Sequence, residues 1–237
     1  MMKYVFIVIV ICSLASTSFS QQNDIPENFP LESLVAWWPF NTNADDQTQY
    51  GHHGQVVGAK LTSDRFNHKK SAYTLDGFDD YISVEVFDES MAFSNQFTIS
   101  AWLNPVHNFK DQYIFSQGDG VSLGFALLLR KSGELVFQAA ELDGPFHFTA
   151  RMVYNSWTHV TLVVENGSAR LYTNGEWVAT FILPMGIMPS NLPFVMGSRF
   201  PLSSVTPILG NGFCGKLDDV AIWNRAFLPE EIKSLIK

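Results

Sequence analysis

Two adjacent carboxylates, Asp218 and Asp219, open an otherwise apolar segment running through Val220, Ala221, Ile222 and Trp223. Side chains on an extended strand alternate between faces, so either Asp could stand near a sheet edge within reach of an oxygen-preferring cation. Neighbouring carboxylates repel one another at short range, which favours a bound metal over loop hydrogen bonds alone. The other chemistry-bearing groups are less persuasive. Glu141 and Asp143 begin the two-acids-on-one-face pattern that retaining glycosidases need, but Gly144, Pro145, Phe146 and His147 follow without a second Glu. The pair reads as an acidic turn. His52 and His53 are neighbours, without the helical spacing or third partner of a metal pair. His159 follows a strand periodicity and reads as packed.

Those residues must be positioned by strands. Phe97, Ile99, Ala101 and Leu103 alternate with Thr98, Ser100, Trp102 and Asn104, the period of a sheet with one face on a core. Trp102 falls on the polar face, an odd place for so large a ring. Asn166-Gly167 and Asn174-Gly175 separate three further runs and predict type I′ hairpins in a three-stranded meander. Asn166-Gly167-Ser168 is also a formal N-glycosylation acceptor. Near the end, Pro229, Glu230 and Glu231 start a short helix whose stripe of Ile232, Leu235 and Ile236 is expected to cap an open end of the fold. Many short strands and almost no helix specify an all-β, two-sheet antiparallel jelly-roll sandwich with a short C-terminal helix.

Lys3, the apolar run Val5 to Leu14 and the small residues Ser16 to Ser20 form a signal peptide, residues 1–20, cleaved after Ser20. Its apolar run is too short to span a bilayer. Secretion without membrane insertion is the expectation. Residues 21–33 read as a flexible leader and 34–237 as one domain. The net charge of −8 argues against nucleic acid, and a 46% apolar content is ample for a core. Removing Cys12 leaves Cys214 alone, which excludes a disulfide scaffold and thiolate zinc sites.

Seven segments together resemble the laminin-G-like, concanavalin A-like jelly rolls, in the family's order and over nearly the whole mature chain. They are Leu34 to Asn41, Gly51 to Gly54, Ser71 to Ile82, Phe97 to Trp102, Trp157 to Val160, Leu171 to Gly175, and Leu217 to Trp223. The resemblance implies extracellular recognition of glycan or glycoprotein without catalysis. It also implies a structural calcium joining the first strands to the last, at Asp218 or Asp219, the carbonyl of Phe40 or Asn41, and that of Gly54. Asp46, in the intervening loop, is an added candidate ligand. Sugars present apolar faces to aromatic rings, so Tyr113, Phe146, Phe148 and Phe200 are candidate platforms, with Arg151 and Arg199 as hydrogen-bond donors. An adhesion component that recognises protein through the sandwich faces is the alternative. A polysaccharide-active enzyme using Glu141 and Asp143 is the more distant one.

Overall fold

The computed structural model describes residues 29–85, 91, 93, 95–118, 123–139, 151–184, 186–200 and 209–236. In chain order the strands are β1 (Leu34–Trp38), β2 (Gln55–Val57), β3 (Lys60–Thr62), β4 (Ala72–Asp76), β5 (Tyr81–Val84), β6 (Gln96–Pro105) and β7 (Gln112–Gly118). There follow β8 (Gly124–Leu129), β9 (Leu135–Ala139), β10 (Thr158–Glu165), β11 (Ser168–Thr173), β12 (Glu176–Ile182), β13 (Phe194–Met196) and β14 (Cys214–Trp223), then the helix α1 (Pro229–Ser234). One sheet has eight strands in the order β12-β11-β10-β6-β14-β4-β3, with β1 added on β14; the other has six, β2-β5-β13-β7-β8-β9. The fold is the expected antiparallel sandwich.

The period of two does the packing. Phe97, Ile99, Ala101 and Leu103 of β6 face Phe115, Phe125, Phe137 and Phe194 of the six-stranded sheet in one continuous core. Both hairpins close as their Asn-Gly pairs require. Asn166 and Gly167 take φ of +46° and +77°, Asn174 and Gly175 +47° and +78°, the paired positive values of a type I′ turn.

The helix lies elsewhere than expected. Ile232 packs with Trp37, Val163, Tyr172, Ala221, Trp223 and Phe227, on the outer face of the eight-stranded sheet. Its stripe therefore covers a sheet face and not an open end of the sandwich. Glu231 fixes its start by accepting the Leu228 N–H at 2.9 Å and bonding both ends of Arg225. The end of the expected flexible leader is tied down too. Phe29 packs on Trp37 and Trp223, at ring separations of 5.1 and 5.4 Å, and the Pro30 carbonyl accepts the Trp223 indole N–H.

Candidate functional site

Asp218 and Asp219, the expected calcium ligands, grip a guanidinium. Arg65 Nη1 stands 2.7 Å from Asp218 Oδ2 and 2.8 Å from Asp219 Oδ2. Consecutive strand residues ordinarily face opposite ways. A bulge between Asp218 and Ala221, with Asp219 at φ +46°, brings the second carboxylate to the same cation. Asp tolerates this left-handed backbone better than most residues. Arg65 also lies over the rings of Phe66 and Trp102, at 4.5 and 4.6 Å. This contact accounts for the outward tryptophan, whose other neighbour is the edge of His159 at 5.2 Å.

Arg65 thus stands where the resemblance implied calcium, and a metal ion between these carboxylates would have to displace it. Asp46 is equally committed. Its Oδ1 accepts the N–H groups of Trp37 and Thr48, and its Oδ2 accepts the Thr48 hydroxyl and the His52 N–H, all within 2.9 Å. It shapes the loop after β1. Phe40, Asn41 and Gly54 lie along that loop, where the Phe40 ring is buried edge-on to Tyr73 and the Gly54 N–H bonds Ala44 O.

One guanidinium between two carboxylates leaves an excess negative charge under cover. Burial, and then the charge of Asp219, push Asp218 up to about 8; burial also raises Asp219. His159 goes the other way, to about 3, because burial and the Arg65 charge both disfavour its cation. Folding thus takes up a proton at Asp218 between its unfolded pKa and about pH 8, so this group's contribution to stability falls as pH rises. His159 sheds a proton on folding below its unfolded pKa of 6.5, so its contribution falls as pH drops towards about 3. The His159 slope opposes the carboxyl slopes in weak acid, where the raised Asp219 adds to that of Asp218. Above pH 6.5 only the carboxyl slopes remain, so stability from this cluster is expected to decline from pH 6.5 to 8. Urea denaturation across pH should show that decline in the wild type and a clearly smaller one in Asp218→Asn. An unchanged decline in the variant rejects the assignment.

Among the candidate platform residues, the structure brings three into one region. Arg199 lies 4.7 Å over the Tyr113 ring, and Phe200 meets Tyr81 edge-on at 6.4 Å. They do not make an open platform, because Tyr113 is covered by the guanidinium and Phe200 is buried. Arg151 stands on Glu134 at 3.5 Å. Phe146 and Phe148, like Glu141 and Asp143, lie outside the described residues.

A different set of rings is open. At one end of the sandwich the β4–β5 turn, the β6–β7 loop and the approach to β14 form a rim that exposes Phe78 (56%), Phe109 (81%) and Leu209 (59%). The loops are tied together: Gly210 N–H donates to Phe78 O at 2.8 Å, and Lys110 Nζ to Gly210 O at 3.2 Å. Phe78 is held by Asp76, whose Oδ1 accepts the N–H groups of Phe78, Asp79 and Asp80 at 2.8, 3.3 and 3.4 Å. Phe109 sits at φ +61°, a rare conformation for a bulky side chain. Asn108 Oδ1 accepts the Lys110 N–H across it, and His107 meets its ring edge-on at 4.4 Å. Sequence reasoning passed over both rings, yet each had a signal, an aromatic inside an Asp-Gly-x-Asp or an Asn-x-Lys-Asp turn.

The same turn gathers acids. Asp76, Asp79 and Asp80 place carboxylate oxygens within 4.8 Å of one another, a geometry that could hold a metal ion. Burial works against ionisation of Asp76, but the backbone N–H bonds outweigh it and lower its pKa. Asp80 is raised by burial and by the charges of its two neighbours. Three hard oxygen donors that repel one another suit a cation such as calcium.

Residues 76–233 match the sequence profile of the concanavalin A-like lectin/glucanases superfamily. No curated protein sequence matches the chain. Among solved structures, domain 4 of the extracellular GH43 arabinanase AbnA of Geobacillus stearothermophilus, in complex with arabinotriose, superposes with TM-score 0.65 at 20% identity, over 86% of this chain and 98% of that one. The binding domain of Paraclostridial Mosquitocidal Protein 1 gives TM-score 0.68 at 20% identity, and 86% of this chain spans about half, 52%, of its length. The sialidase of Trypanosoma rangeli gives 0.66 at 14% identity, over 87% of this chain and 33% of its own. At such identities the likeness is one of fold. With two thirds of its length under that profile, the chain belongs to the concanavalin A-like lectin/glucanases superfamily.

Proposed function

We propose that the chain is a secreted, non-catalytic module that binds carbohydrate on its loop rim, with Phe78 and Phe109 as the platform. The observation that carries this reading is Phe109, 81% exposed and held in a left-handed backbone. Backbone strain of this kind costs on the order of 1–3 kcal/mol and persists only where surrounding structure enforces it. Here it serves to present an aromatic face to solvent. Exposed rings ringed by Asn108, Asp79 and Lys110 offer the mix of apolar surface and hydrogen-bonding groups that a sugar ring needs. Calcium at Asp76, Asp79 and Asp80 would offset most of the negative charge of the turn that carries Phe78. The likeness to an arabinanase domain solved in complex with arabinotriose supports this reading.

Recognition of protein through the sandwich faces finds less support. The helix covers part of one outer face. On the other, Ser116, Ala126, Leu128 and Val195 are already buried.

A glycan array, run with calcium and with chelator, supplies the ligand for titration. Phe109→Gly and Phe78→Ala should each weaken binding by about tenfold or more, the usual cost of truncating an aromatic anchor. Neither should lower the melting temperature, since both rings are exposed and glycine relieves the φ at 109. Undiminished binding in the double variant rejects the platform, and melting that ignores both calcium and chelator rejects the cation.

A further inference from the structure

Beside the rim is a cleft of about 340 Å³ where β4, β6 and β14 meet the loop before β10. Its lining includes Thr74, Asn104, Val106, Asn155, Cys214 and Lys216. Lys216 is the centre of a cross-strand row, paired with Thr74 on one side and Asn104 on the other. Its neighbour Leu217 points into the core, so Lys216 points outward. Asn155 closes the row, anchored by its N–H to Pro105 O at 2.7 Å.

Two features separate this row from an ordinary solvated surface. The side chains of Thr74, Asn104, Asn155 and Lys216 make no hydrogen bond or ion pair among the described residues, although they converge on one cavity. Lys216, partly buried as a residue, has no carboxylate in the lining, in a chain whose acids outnumber its bases by 23 to 15. A hydroxyl, two carboxamides and one cation leave unused donors for an anion and unused donors and acceptors for hydroxyls. The cavity is at the small end of the range for ligand sites, roughly 300–1,000 Å³. No arginine fork, the side chain that favours bidentate phosphate or carboxylate pairs, lines it.

We infer that this cleft is a subsite for the carboxylate of an acidic sugar, a uronic acid residue of a glycan whose neighbouring ring lies on Phe78 or Phe109. The cleft adjoins the platform directly. Val106 precedes the His107–Asp111 loop, and Cys214 lies against Gly77, one residue before Phe78. The inference rests on the carbohydrate-binding reading and gives it a ligand class. Lys216 supplies the charge, while Thr74, Asn104 and Asn155 take the ring hydroxyls.

The test is calorimetric titration of the mature chain with a short oligogalacturonate and with the same oligomer fully methyl-esterified, which removes the charge and keeps the sugar. The acid should bind about tenfold or more tightly than the ester at low salt, as expected for a charge-assisted bond, and the preference should shrink as salt rises. Lys216→Gln should bind both forms alike, and Lys216→Arg should restore part of the preference. Equal affinity for acid and ester in the wild type, or a preference that survives Lys216→Gln, overturns the subsite while leaving neutral-glycan binding by the rim intact. Binding of neither oligomer also overturns it, and the rim is then judged by the array alone. Tighter binding of a sulfated oligosaccharide of equal length rejects the carboxylate assignment.

Discussion

Arg65→Met is expected to lower the unfolding free energy by about 3–5 kcal/mol, the usual result of removing one partner from a buried ion pair. The loss comes from what remains. Asp218 is buried and Asp219 only partly exposed, so the variant leaves two neighbouring carboxyl groups with no cation to stabilise their ionised forms. It also removes the planar group that lies over the rings of Phe66 and Trp102. Methionine keeps much of the apolar stem, which isolates the charge. Adding Asp218→Asn and Asp219→Asn to Arg65→Met should recover a large part of the loss, because three polar or neutral groups no longer demand a counter-charge. Urea denaturation of the wild type, Arg65→Met and the triple variant checks this. A loss below about 1 kcal/mol, the level of an exposed pair, would mean the cluster is solvated and unimportant.

Trp223→Ala should cost a comparable amount, about 3–5 kcal/mol for deleting a fully buried large aromatic. Trp223 is the hub of the second cluster, in ring contact with Phe29 at 5.4 Å and Phe227 at 4.6 Å. Its indole N–H is given to the Pro30 carbonyl. Removing it therefore loosens both the helix and the segment before β1. Limited proteolysis should cut sooner around residues 29–33 in the variant than in the wild type. Trp177→Ala is the control. That ring is 57% exposed, and its loss should change stability by no more than about 0.5 kcal/mol. Equal effects of the two substitutions would reject the assigned packing.

The sandwich was legible in the sequence because its signals are local. A period of two assigns the β6 residues to faces without knowledge of any partner, and Asn-Gly fixes a turn by its own backbone preferences. The site was less legible because it depends on partners far apart in the chain. Nothing near Asp218 announces Arg65, and the bulge that turns Asp219 toward it is a property of pairing with β6. Trp102 looked misplaced for the same reason: its covering group comes from the loop between β3 and β4. Phe200 and Phe109 both sit beside turn residues, yet one is buried and the other is among the most exposed side chains described. Only the tertiary cover distinguishes them. The acid cluster at Asp76, Asp79 and Asp80, by contrast, lies within five residues and was readable as a turn, though not as a cation site.

Strand β14 pairs with β1, β4 and β6 at once, and so sits in the interior of the eight-stranded sheet. It is also synthesised after every strand it binds. While a ribosome is still working through the chain, β1 and β4 lack the neighbour that joins them to β6, and Asp218 and Asp219 are not yet there for Arg65. The pairings that join β1 and β4 to β6 therefore close only once β14 is present, and contacts this distant in the chain belong to the slow regime for folding. In a nascent chain the eight-stranded sheet stays in pieces until β14 emerges.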